Sequence, residues 1–200
     1  MPREKKMINP VDDTLENAAK CIITGKTDVD TAVSNDKKRK ITPKDLLSLL
    51  KEAILKFYEK NSKLVQKPGM ERVCVPKISS HLEDLIEKDI RFHGLSVDCE
   101  YDKNGLGPKI LPSRQNGARP DIIIHKRWKN NNNQLVLEFK YWGKADEEND
   151  ALKLKEFTDK YGEYQYNLGV LVRLMKTPEQ TIQGIKCFQN GQEVDEHQFA

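Results

Sequence analysis

The sequence reads as a mixed α/β chain: a core in the order α-β-β-β-α-β around a mixed central sheet, with extra N-terminal helices and a C-terminal hairpin. Three observations predict this. Apolar residues fall at helical spacing over 43–60 and 148–162. Alternating or continuous β-prone runs occupy 95–101, 120–127, 134–141 and 168–174. Glycine, proline and asparagine concentrate in the segments between them.

In chain order, residues 1–40 are polar, carry a basic run at Lys37-Lys38-Arg39-Lys40, and offer at most a short helix over Leu15–Ile22. They read as an arm or tether, partly helical or disordered. Residues 41–200 read as one domain with its core at about 79–174. Thr42-Pro43-Lys44-Asp45 combines a cap, a proline at the first helical position and an acid at the third, so a helix starts here. Leu46, Leu47, Leu50, Ala53, Ile54 and Phe57 supply its apolar face. Pro68-Gly69 breaks the pattern, and a second helix is expected to start near Ser79 or Ser80, burying Leu82, Leu85 and Ile86.

Leu95 to Tyr101 alternates and predicts a strand, and 102–117, with its glycines and prolines, predicts a long loop. The runs 120–127 and 134–141 flank the polar stretch from Trp128 to Asn133 and predict a β-hairpin. A helix follows over 148–162. Leu168-Gly-Val-Leu-Val-Arg-Leu174 is an apolar β-type run of the kind found in a buried strand, and the helix before it makes this a parallel, right-handed crossover. Asn190-Gly191 centres a small hairpin over 185–194.

Composition excludes some classes. Hydrophobic residues make up 37% and charged residues 32% of the 200, so the chain is polar yet able to bury a core. No apolar run approaches the roughly 20 residues of a membrane span, and Met1-Pro-Arg-Glu-Lys-Lys6 lacks a signal peptide's apolar centre. A cytoplasmic location is the expectation. Cys21, Cys74, Cys99 and Cys187 are scattered without zinc-finger spacing, and reduced, mostly buried thiols are expected. The net charge of +3 permits nucleic-acid binding without arguing for it.

The chemistry concentrates in the hairpin. With its turn centred between Asn130 and Asn131, Asp121 faces Lys140 and Ile123 faces Glu138. Strand alternation then puts Asp121, Glu138 and Lys140 on one face and Ile122, Ile124, Leu137 and Phe139 on the other, toward the core. Two adjacent carboxylates repel unless a cation bridges them, and hard oxygen ligands suit Mg²⁺ or Mn²⁺. A lysine beside them can position a water or stabilise phosphate oxygens. The chemistry implied is metal-dependent hydrolysis of a phosphodiester. The bland reading of the same residues is a surface ion pair between Asp121 and Lys140.

Arg119-Pro120-Asp121-Ile-Ile-Ile-His125 followed by Leu137-Glu138-Phe139-Lys140 resembles the PD-(D/E)XK nuclease superfamily, the restriction-endonuclease-like proteins, and in particular its small, mostly uncharacterised bacterial members. Further resemblance lies in Val97-Asp-Cys-Glu-Tyr101 and Asp150-Ala-Leu-Lys-Leu-Lys155. The resemblance implies a restriction-endonuclease-like core, Asp121 and Glu138 as Mg²⁺ ligands, Lys140 assisting the attacking water, and DNA as substrate. A homodimer is compatible with it. It also implies a glutamate from the helix before the first strand. Glu71, Glu83 and Glu87 are all open, and Ser80-x-x-Glu83 also fits a capping box. His125 alternates onto the Asp121 face and either touches phosphate or is a satisfied structural histidine. Tyr161, Tyr164 and Tyr166 are base-stacking surfaces or core and rim residues. Arg119, Lys126, Arg127 and Lys129 either bind a DNA backbone or keep the hairpin soluble. The alternative function is a catalytically inactive nucleic-acid-binding or protein-interaction module on the same fold.

Overall fold

In the computed structural model, residues 39–67, 69–142 and 147–199 are described. The expected arm over 1–40 lies outside them, except for Arg39 and Lys40. Helix α1 (Pro43–Asn61) begins as the sequence dictates. Thr42 Oγ1 accepts from the Asp45 amide at 3.2 Å, and Asp45 Oδ2 accepts from the Thr42 amide at 2.9 Å. Its apolar stripe is buried from Leu46 to Tyr58.

Helix α2 (Glu71–Ile86) starts eight residues before the expected Ser79. The break after α1 is therefore short, and Pro76 sits inside the helix rather than before it. A proline tolerates the first turns of a helix best, and here it leaves the Arg72 carbonyl without its usual donor. Ser80 and Glu83 are mid-helix, so the capping-box reading of that pair is wrong.

Strand β1 (Ser96–Cys99) follows a single 3₁₀ turn over Ile90–Phe92. The expected long loop then contains a small ribbon of its own, β2 (Lys103–Asn104) paired with β3 (Gly107–Pro108) around Gly105. The main sheet continues through β4 (Ile122–His125), β5 (Leu135–Tyr141), β6 (Leu168–Leu174), β7 (Lys186–Gln189) and β8 (Gln192–Val194). Its order is β1-β4-β5-β6-β7-β8, antiparallel throughout except for the parallel β5–β6 pair. Helix α3 (Glu148–Thr158) makes that parallel crossover, and α4 (Pro178–Gln183) lies between β6 and β7. The C-terminal hairpin joins the sheet directly, since β7 pairs with β6. Among the described residues the fold is thus mixed α/β, with a six-stranded mixed sheet and four α-helices. None of these helices is long and apolar enough to cross a membrane.

Both faces of the sheet are covered. One face presents Ile122, Ile124, Leu135, Leu137 and Phe139 to α1 and α2. The other presents Ile123, Val136 and Leu171 to Leu154 and Phe157 of α3 and to Tyr164 and Tyr166. Strands buried on two faces lose simple alternation, which is why β5 and β6 read as nearly continuous apolar runs. The free thiols Cys74 and Cys187 are buried, whereas Cys99 is exposed.

Helix α3 packs tightly against β6 at Gly169. A Cβ built there would lie 3.0 Å from Thr158 Cγ2 and 3.4 Å from the Leu154 side chain. Gly169→Ala should therefore push the helix off the sheet and cost about 1–3 kcal/mol, as overpacking does in tight cores. Urea denaturation checks this; an unchanged midpoint would show that the helix yields freely.

Candidate functional site

The hairpin register differs from the expected one by two residues. Ile122 pairs with Leu137, Ile123 with Val136 and Ile124 with Leu135. The connection is lopsided: Lys129 N donates to Lys126 O at 3.3 Å, and Trp128 takes a left-handed φ of 66°. A shift of two preserves parity, so the predicted faces stand while the partners change. Extending the ladder places Asp121 opposite Glu138 rather than Lys140.

Asp121 sits just before β4, where Pro120 has no amide to extend the ladder. Its Oδ2 accepts from the Phe139 amide at 2.7 Å, closing the end of the β4–β5 pairing with a side chain. Burial raises its pKa to about 6, and the neighbouring Glu71 and Asp150 carboxylates push the same way. The Phe139 amide and Lys153 oppose them.

Glu138 is 3% exposed. Its Oε1 meets Lys153 Nζ at 2.6 Å, yet burial still drives its pKa upward, with Asp121 and Asp150 adding to the effect. Lys140 is paired with Asp150 at 2.6 Å. Burial works against its charge, but the Asp150 carboxylate outweighs this and keeps the ammonium protonated. The Asp121–Lys140 ion pair of the bland reading is therefore not the arrangement found. Instead α3, through Asp150 and Lys153 one turn apart, answers Lys140 and Glu138 with opposite signs. Sequence reasoning passed over these two residues as functional groups. The signal was present in the Asp150-x-x-Lys153 spacing, which sets both on one helix face.

Of the three open glutamates, Glu71 is the one beside Asp121. A cleft of about 370 Å³ is lined by Glu71, Arg72, Val75, Pro76, Cys99, Glu100 and Asp121. Glu71 Oε2 is buried with no hydrogen-bond partner. Glu83 and Glu87 line a different depression, with Arg127. Glu100 rims the first cleft at a φ of 49°, a conformation that costs a non-glycine residue about 1–2 kcal/mol.

The group as a whole is acidic. Glu71, Asp121, Glu138 and Asp150 couple electrostatically with Lys140 and Lys153. Four carboxyls against two ammoniums leave a formal excess of two negative charges. Among the described residues, no three His, Cys, Asp or Glu side chains already stand close enough together to hold a metal. The donor chemistry nonetheless fits a hard divalent cation: oxygen ligands, an orphaned buried carboxylate oxygen, and raised carboxyl pKa values that a positive charge would relieve.

The remaining predicted residues lie elsewhere. His125 is 2% exposed, donates from Nε2 to Asp98 Oδ2 at 2.9 Å, and meets the Tyr101 ring at a tilt with centroids 4.8 Å apart. It is a satisfied structural histidine. Arg127 also binds Asp98, through Nε at 2.8 Å. Tyr164 and Tyr166 are core residues, and only Tyr161, 84% exposed, stands at the surface. Arg119 reaches Glu100 at 3.6 Å at the rim of the cleft, while Lys126 and Lys129 are exposed on the distant loop.

Comparison of the chain with protein-family models, with curated proteins and with solved structures finds no match.

Proposed function

We propose that the chain is a metal-dependent nuclease of the PD-(D/E)XK, restriction-endonuclease-like type, hydrolysing DNA phosphodiester bonds. The observation that carries this reading is the cluster at the β4–β5 end, with its two negative charges in excess and the unpartnered Glu71 oxygen. The element order α2-β1-β4-β5-α3-β6, with antiparallel, antiparallel and parallel pairings, supports it.

Asp121 and Glu138 would hold Mg²⁺ or Mn²⁺, with Glu71 as the helix acid. Such an ion supplies charge neutralisation at phosphate and a more acidic bound water. Asp121 opens to the cleft, and the burial that raises its pKa to about 6 is a cost that a bound cation would relieve. Lys140 keeps a positive charge at this end of the sheet, where it can orient a water or a phosphate oxygen. Lys153 holds Glu138 in place and neutralises it between turnovers.

Purified protein is incubated with single- and double-stranded DNA in Mg²⁺, Mn²⁺ or EDTA. The expected result is cleavage with metal and none in EDTA, falling about a hundredfold in Lys140→Ala. Cleavage in EDTA, or full activity in that variant, would sink the mechanism. The second reading, an inactive nucleic-acid-binding or interaction module, is favoured by one observation: Glu138 and Lys140 are each already engaged by α3. DNA binding that persists in EDTA, without cleavage under any metal, would select it.

A further inference from the structure

A second cleft, of about 380 Å³, opens at the other end of the sheet, between the β4–β5 loop, the start of β6, the C-terminus of α3 and the β7–β8 turn. Along β5 its Gln134 stands roughly 13 Å from Glu138, four residues on. Nine of its thirteen lining residues carry carboxamides, two are lysines, and none is acidic. Such a lining is unusual for a surface on which charged residues would serve solubility equally well.

Four of these amides, Asn130, Asn133, Gln165 and Asn167, donate their nitrogen ends to protein oxygens. Asn133, 5% exposed, donates Nδ2 to the Tyr164 carbonyl at 2.7 Å, and its Oδ1 is buried without a partner. Asn130 donates to Asn104 Oδ1 at 2.9 Å, and Gln165 donates to the Gly162 carbonyl at 3.1 Å. Asn167 is tied to the Ile41 carbonyl at 3.2 Å. Fixing one end of these four amides removes their rotamer freedom before any ligand arrives, so their share of the ordering cost is small. The buried Asn133 oxygen also calls for a donor, because an unpaired acceptor there carries a desolvation penalty.

We infer that this cleft binds a nucleoside phosphate, with carboxamides on the base edge and Lys40 and Lys160 on the phosphate. With these nitrogens engaged by the protein, the amide oxygens are the groups left to accept from the exocyclic amino group of a base, such as N6 of adenine. The ligand is anionic, because the lining holds two lysines, Lys160 lying over the Tyr161 ring, and no carboxylate. A neutral glycan would be better served by carboxylates accepting from its hydroxyls. The group comes either from a free nucleotide or from a nucleotide within a strand. The inference stands apart from the nuclease reading, since it uses none of the residues at the acid cluster.

The test is calorimetric titration of the full chain in EDTA with adenosine 5′-monophosphate, adenosine, inorganic phosphate, an eight-residue deoxyadenylate and a neutral trisaccharide. The nucleotide should bind about tenfold more tightly than either adenosine or phosphate. The exposed pair Lys40→Ala/Lys160→Ala should weaken it by about tenfold, whereas Asp121→Asn should leave it unchanged. Stronger binding of the oligonucleotide assigns the site to a strand, and stronger binding of the monophosphate assigns it to a free nucleotide. The inference is overturned if no nucleotide binds, if the lysine pair has no effect, if Asp121→Asn abolishes binding, or if the trisaccharide binds best. Loss of metal-dependent cleavage with retained nucleotide binding would count against the nuclease reading alone.

Discussion

Lys153→Met should destabilise the fold by about 3–5 kcal/mol at pH 8, the usual cost of removing one partner from a buried ion pair. The two side chains are 8% and 5% exposed, so water cannot replace the lost ammonium. Glu138 then has one escape, which is to take up a proton. Burial has already pushed its pKa up, so this escape becomes easier as the pH falls. The loss should accordingly be smaller at pH 5 than at pH 8. Adding Glu138→Leu to Lys153→Met removes the stranded carboxylate and should return most of the lost stability, since apolar replacement of a whole buried pair is often neutral. Urea denaturation of both variants at the two pH values measures this. A loss below about 1 kcal/mol at pH 8 would mean that the pair is more hydrated than its burial implies.

The second large effect concerns Asp121. Its folded-state pKa of about 6 lies above the ordinary 3.8, so the folded protein binds this proton more tightly than the unfolded chain does. Stability from this group is fully present below about pH 4 and is lost as the pH rises through about 6. Two pKa units correspond to about 3 kcal/mol. Asp121→Asn keeps an oxygen to accept from the Phe139 amide and removes the titration. The variant should therefore match the parent near pH 4 and exceed its stability by about 3 kcal/mol at pH 7–8. Glu138 is raised too and slopes the same way, so the informative quantity is the difference between the two proteins across the pH range. A difference that does not change with pH would show that Asp121 ionises normally.

Much of this was legible in the sequence, for physical reasons that differ by element. Helix α1 was bounded by Thr42-Pro43-Lys44-Asp45 because capping is local chemistry, carried out by the residues one reads. Leu168–Leu174 was legible because a strand buried on both faces is apolar nearly throughout, Arg173 being its one charged and only partly buried residue. The side-chain faces of the hairpin survived a wrong register because alternation depends only on parity. The start of α2 was missed because its buried face was recognised only at Leu82, Leu85 and Ile86, although Cys74, Val75 and Ile78 carry the same face one to two turns earlier. Helix α4 was missed although Thr177-Pro178-Glu179-Gln180 repeats the start signal of α1, and Thr177 Oγ1 does accept from the Gln180 amide. The roles of Asp150 and Lys153 depended on how far α3 sits along β5, which no local pattern encodes.

That last dependence also runs in reverse. Strand β5 offers negative then positive at Glu138 and Lys140, and α3 answers with Lys153 and Asp150. A helix displaced by one turn, about 5.4 Å, would bring Asp150 toward Glu138 and set like charges against each other in a nearly dry layer. Apolar contacts around Leu154 and Phe157 are non-directional and tolerate sliding far better than this. The four charges therefore work as an index mark for the helix, fixing where along the sheet it comes to rest.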